Sequence, residues 1–163
     1  MSWVVGIGYN EGVADPVGSN TKKDIEDLRI GKVRDVKALQ TFFLDGDVTR
    51  EDVERVCKDL FVDNVVQFYN FGEMKGDGSH VENLVKDRGV WVVEIMPKPG
   101  VMDPVGLSSE RAISVMGVPG VKSVGTGTTF VIDGDFSEQE IESVCRKSLA
   151  NGLVQNFRFR RLE

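Results

Sequence analysis

His80, Cys57 and Cys145 are the side chains in this chain best suited to proton transfer or nucleophilic attack. A catalytic histidine needs a partner that fixes it. His80 follows Gly76-Asp77-Gly78-Ser79 and reads as a solvated linker residue. The cysteines have no Cys-x-x-Cys spacing and fall on apolar helix faces, which points to core packing. Asp45-Gly46-Asp47 and Asp133-Gly134-Asp135 resemble the start of a cation loop. A calcium loop needs further acids at set spacing and a distal glutamate, so these read as a turn followed by a helix start. Gly125-Thr126-Gly127-Thr128 lacks the Gly-Lys-Ser/Thr ending of a phosphate loop and reads as a hairpin turn. Arg29-Ile30-Gly31-Lys32 suits a helix C-terminus, which favours cations. Arg158, Arg160 and Arg161 alternate with Phe157 and Phe159, as in a strand with its arginines in solvent. The expectation is no catalytic residue, no metal and no cofactor.

One motif is harder to assign to structure alone. Val13-Ala14-Asp15-Pro16-Val17-Gly18 returns as Val101-Met102-Asp103-Pro104-Val105-Gly106, 88 residues later. Asp, Pro and Gly suit a turn for backbone reasons. The match between copies leaves two readings open: a structural turn, or a docking element. Asp15, Pro16, Gly18, Asp103, Pro104 and Gly106 are the subunit-contact candidates.

The same offset relates Trp3-Val4-Val5 to Trp91-Val92-Val93, Cys57 to Cys145 and Val66-Gln67 to Val154-Gln155. Roughly a third of the positions agree without a gap, so the chain is a tandem duplication. The division is 1–72 for the first repeat, 73–89 for a linker with a helical turn near Val81–Val85, and 90–163 for the second repeat. Units this small bury little surface alone, so each needs a partner. A net charge of −6 argues against nucleic acid and anionic membranes as partners. No apolar run is long enough to span a membrane. Unpaired cysteines fit the cytoplasm.

The elements repeat as well. Trp3–Tyr9 is a β-branched strand. Thr21 with Asp24 resembles a capping box for a helix to about Leu28, closed by Gly31. Val33–Leu39 and Gln40–Leu44 read as two strands of a hairpin. Thr49 with Asp52 caps a second helix, whose apolar face is Val53, Val56, Cys57 and Leu60. Val65–Phe71 closes the unit. In the second repeat the helices run from about Ser109 to Met116 and from Ser137 with Glu140. The hairpin is Val121–Val124 with Thr128–Ile132, and the last strand is Leu153–Phe159. The prediction is α+β, two tandem ferredoxin-like β-α-β-β-α-β units with antiparallel sheets, packed as a pseudo-dimer. Apolar residues on both strand faces predict open sheet faces covered by each other or by another subunit.

In order and spacing the motifs resemble the PurS family, the small subunit of phosphoribosylformylglycinamidine synthase. The residues that carry this are Val13–Gly18, Val56-Cys57-Lys58-Asp59-Leu60, Val101–Gly106, Val121-Lys122-Ser123-Val124, Val144–Asn151 and Asn156-Phe157-Arg158-Phe159. The chain departs from the family where an Arg-x-Gly-Lys hairpin turn is usual. It has Lys37-Ala38-Leu39-Gln40 and Gly125-Thr126-Gly127-Thr128 there. The resemblance implies a non-catalytic subunit bridging an ATP-dependent synthetase (PurL-like) and a glutaminase (PurQ-like) for ammonia transfer in purine biosynthesis. ATP and Mg would then be used by the synthetase partner, and homo-oligomers are an option. The alternative is an ACT-like regulatory module that binds an amino acid or nucleotide between the repeats, with Gly12 and Gly100 in its first loops.

Overall fold

The computed structural model describes residues 2–163. The first repeat contains β1 (Ser2–Tyr9), α1 (Pro16–Leu28), β2 (Lys32–Gly46), α2 (Arg50–Val56) and β3 (Gln67–Glu73). A short helix, α3 (Val81–Leu84), follows. The second repeat contains β4 (Val90–Pro97), α4 (Pro104–Val115), β5 (Val121–Asp135), α5 (Glu138–Val144) and β6 (Gln155–Leu162).

The helices form where local chemistry is strongest. Thr49–Asp52 and Ser137–Glu140 are both closed capping boxes, as expected. The first helix of each repeat starts earlier than expected. Asp15 and Asp103, not Thr21 or Ser109, are the N-caps, with Pro16 and Pro104 at the first helical position. Proline is preorganised for that position, and its missing N–H would have no intrahelical partner there. α1 ends on Arg29 in the left-handed region at φ 55°, two residues before Gly31. α4 ends at Val115, before Pro119-Gly120, and Gly117 takes φ 89°.

Beyond α2 and α5 the helix widens into a π turn, Cys57–Phe61 and Cys145–Leu149. The extra residue advances the apolar face by one position. Leu60, expected on the buried face, is 38% exposed, and Phe61 stacks on Phe42 in its place. The closing strands also begin two residues later than expected, which leaves Val65 and Leu153 in exposed turns.

The largest departure concerns the hairpins. Each is a single 15-residue strand, β2 or β5, running straight through the expected turn. Ala38-Leu39 contains no residue that favours φ > 0, which a tight two-residue turn demands. Gly125 and Gly127 have no positive φ either. As a result the compact units are not the sequence repeats. The first unit comprises β1, Gln40–Lys86 and Met102–Thr126; the second comprises Ala14–Leu39, Asp87–Val101 and Gly127–Glu163.

This exchange restores the ferredoxin-like set in each unit. In the first, strands pair in the order β3-β1-β2-β5, and α4 takes the place α1 would have held. Its core joins Trp3, Val5, Ile7, Leu44, Val53, Val56 and Cys57 to Ile113, Val118 and Val124 from the second repeat. The second unit has the order β2-β5-β4-β6. Its core joins Trp91, Val93, Ile132, Ile141, Val144 and Cys145 to Ile25 and Val36 from the first repeat.

β1 pairs antiparallel with β2, Trp3 opposite Leu44, and with β3, Trp3 opposite Glu73. β4 pairs likewise with β5, Trp91 opposite Ile132, and with β6, Trp91 opposite Arg161. Odd-numbered residues of β1 therefore face the helices, and Val4 and Gly6 face away. In the first unit that far side is covered by the connecting segment. α3 packs on β3, Asn70 Nδ2 donates to Leu84 O at 3.0 Å, and Val81, Leu84 and Val85 are buried. His80, expected in solvent, is fully buried at the start of α3, with Nδ1 3.1 Å from the Lys75 carbonyl oxygen.

Candidate interaction loops and an apolar groove

The Asp-Pro-Val-Gly loops owe most of their composition to backbone demands. Asp15 Oδ1 accepts from Gly18 N at 2.9 Å, and Oδ2 accepts from Ala38 N at 2.9 Å. Asp103 repeats this on Gly106 N at 3.0 Å and Thr126 N at 2.7 Å, and also accepts from Thr126 Oγ1 at 2.9 Å. Each carboxylate thus caps a helix with one oxygen and holds a strand with the other. Gly18 and Gly106 are buried, and a Cβ at either would strike the Asp carboxylate and the carbonyl of Val36 or Val124, so only glycine fits. Pro16 and Pro104 are exposed, as are Val17 and Val105, at 53% and 50%. The exposed part of each loop is therefore Pro-Val, with Asp and Gly beneath it.

In the first unit this surface edges an open groove of about 420 Å³. Phe42 and Phe61, stacked at 3.9 Å between centroids, share its lining with Leu60, Pro104, Val105, Ser108, Ser109 and Ala112. Leu60, Ser108 and Ala112 correspond by the 88-residue offset to Ser148, Asn20 and Asp24 in the second unit. At each of these three positions the second unit carries the more polar side chain. Sequence reading misses this groove, because Leu60 looks like core until the π turn rotates it outward.

The groups first considered for chemistry are placed as structural ones. Burial pushes the thiols of Cys57 and Cys145 up to about 12, the carboxylates of Glu54 and Glu142 adding to it, so both are protonated near neutrality. Asp133 and Asp135 converge on Arg34, with N–O distances of 2.9 Å to each. The hydrogen bonds to Asp135 and Asp133 raise the Arg34 guanidinium, and the bond from Arg34 lowers Asp135. The acidic turn of the second repeat therefore holds a guanidinium. Arg158 is not in open solvent: its Nε lies 2.8 Å from Oε1 of Glu94, which is 3% exposed. A glutamate inside the apolar run Trp91-Val92-Val93-Glu94-Ile95 is the sequence signal for that pair. No group of three or more His, Cys, Asp or Glu among the described residues is placed to hold a metal ion. No helix among them is long and apolar enough to cross a membrane.

Comparison with known proteins follows the duplication. The family described as PurS, Phosphoribosylformylglycinamidine (FGAM) synthase, matches residues 2–74 and again residues 90–163. A phosphoribosylformylglycinamidine synthase subunit PurS from Archaeoglobus fulgidus is 37% identical over 70 residues, which cover 40% of this chain and 88% of the relative. The subunit of the same name from Methanocaldococcus jannaschii is 33% identical over 70 residues, covering 40% of this chain and 84% of that protein. Each relative is thus about one repeat long.

Proposed function

Because this chain belongs to the PurS family, and carries the family's unit twice, we propose that it is a subunit of phosphoribosylformylglycinamidine synthase in purine biosynthesis. Its role in this reading is non-catalytic. It bridges an ATP-dependent synthetase subunit (PurL-like) and a glutaminase subunit (PurQ-like), and holds them in register for ammonia transfer. ATP and Mg are used by the synthetase, in the cytoplasm. The observation that carries the reading is the double family match, with relatives that span a single unit. The exposed Pro16-Val17 and Pro104-Val105 loops, with the groove beside the second, supply the contact surface.

The test is glutamine-dependent synthase activity in a mixture of the two partner subunits, with and without this chain, alongside gel filtration. Activity and co-elution should both require it. If the partners reach full activity without it and it never co-elutes, the bridging role is wrong. Val17→Asp and Val105→Asp test the loops better than changes at Asp15 or Asp103. They alter the exposed surface and leave the caps intact. The change at Val105 also puts a charge on the groove wall. Val105→Asp should therefore weaken assembly more than Val17→Asp, by about tenfold or more in apparent affinity, since about 1.4 kcal/mol suffices for that factor.

A further inference from the structure

We infer that the two repeats are obligate partners in folding, each closing the other's unit with a helix–strand arm, and that Asp15 and Asp103 are the latches that keep each arm extended. The arms are Ala14–Leu39, with α1 and the first part of β2, and Met102–Thr126, with α4 and the first part of β5. Each arm buries its anchor in a core whose other strands come from the opposite repeat. Ile25 is 1% exposed among Trp91, Val93 and Ile132, and Ile113 is fully buried among Trp3, Val5 and Leu44. Either unit without its borrowed arm lacks a helix, a strand and the centre of its core.

The chemistry at the two crossovers explains why the arms do not fold back. At Leu39–Gln40 the neighbouring residues are Lys37, Ala38 and Thr41, none suited to a tight turn. At Thr126–Gly127 two glycines would permit one, and there the latch is stronger. Asp103 takes both the N–H and the hydroxyl of Thr126, while Asp15 takes only the N–H of Ala38. Both latch bonds land beside the crossover, and the same carboxylates cap the helices. Helix and strand of one arm are thus tied into one piece at the point where a hairpin would have to bend.

Hydrogen exchange on the full chain tests this, since local opening reports which segments share a cooperative unit. Ile113→Ala, a change in the second repeat, should speed exchange by about tenfold or more in Ser2–Tyr9, Arg50–Val56 and Gln67–Glu73. Val90–Pro97 and Gln155–Leu162 should stay as they were. Ile25→Ala should give the mirror image. If each substitution loosens its own repeat, the exchange is wrong. Ile113→Val and Ile25→Val serve if the alanine variants do not fold, because the segment pattern, not its size, decides. For the latches, Asp103→Ala should speed exchange at residues 124–128 more than Asp15→Ala does at 36–40. Equal rates, or no change at either crossover, would overturn their role.

Discussion

The two units treat the sheet face turned away from α2 or α5 in opposite ways. In the first, Gly6, Asn70 and Gly72 stand on that face. Their small size admits α3: a Cβ on Gly72 would lie 2.8 Å from Asn83 Nδ2, and Asn70 reaches Leu84 O. The corresponding positions in the second unit are Glu94, Arg158 and Arg160. There, a nearly buried carboxylate is matched by a guanidinium on the adjacent strand. A duplication copies the unit but supplies only one connecting segment. The copy that carries α3 across its sheet keeps glycine, and the other carries charge. Repeats joined in one chain are therefore free to diverge wherever their surroundings differ, while Trp3 and Trp91, or Cys57 and Cys145, stay alike inside their cores.

Removing the carboxylate should cut deepest. Glu94→Ala takes from the Arg158 guanidinium the carboxylate it meets on the sheet. Breaking a buried pair costs about 3–5 kcal/mol, and the one-third exposure of Arg158 lowers that to about 2–3 kcal/mol. Urea unfolding of Glu94→Ala, Arg158→Ala and the double variant would measure it. The double variant should be no less stable than Glu94→Ala. A fully additive loss would mean the pair is not coupled.

The opposite substitution probes the first unit. Gly72→Ala places a methyl against Asn83 and must push α3 outward, at a cost of about 2 kcal/mol. Exchange at Val81–Val85 should rise in step, because those residues are held by their seat on β3. Unchanged protection there would show that α3 does not depend on the missing side chain.

Much of this architecture is legible in the sequence, and the remainder has a common cause. The capping boxes at Thr49 and Ser137, the strands around the tryptophans and the duplication itself depend on short-range pattern, so they can be read directly. The straight run of β2 and β5 cannot. An alternating strand pairs equally well with its own continuation or with the equivalent strand from the other repeat, and the local signals disagree: Ala38-Leu39 does not suit a turn, while Gly125 and Gly127 at the equivalent place permit one. His80 misleads for a related reason. Its segment is polar and glycine-rich, and its burial comes from the sheet face that α3 covers. Among the candidate contact residues, the requirement for Asp and Gly is explained by backbone bonds, while Pro16 and Pro104 are exposed beside Val17 and Val105, which are not among those candidates.

The paired cysteines test whether the cores have stayed equivalent while the faces diverged. Both thiols are raised from 9.0 to about 12 by burial. The folded state holds their protons more tightly, so their contribution is fully present below pH 9 and is lost as pH rises towards 12. Stability should therefore fall with rising pH across that window as the two thiols ionise. Cys57→Ala and Cys145→Ala should each remove a comparable share of the slope, with Tyr69, raised by burial, contributing to the remainder. A slope that follows only one of them would show that one core is more open than the other.

The smallest effect lies at the acidic turns, where the units differ by a single cation. In the second, Arg34 forks onto Asp133 and Asp135; the corresponding position in the first is Lys122, and the corresponding acids are Asp45 and Asp47. Asp135 lies below the ordinary carboxylate value of 3.8 because Arg34 donates to it. Its contribution is therefore present above pH 3.8 and disappears as pH falls through the lowered value. All of these groups are exposed, so salt screens the interaction and the effect on unfolding is slight. The carboxyl titration of Asp135 is the better readout. In Arg34→Ala its midpoint should move up to the ordinary range. In Arg34→Lys it should stay only partly lowered, because an ammonium cannot make the two-pronged contact that a guanidinium makes with both acids. A midpoint unmoved by either substitution would mean that the fork does not persist in solution, and the two turns would then be electrostatically alike.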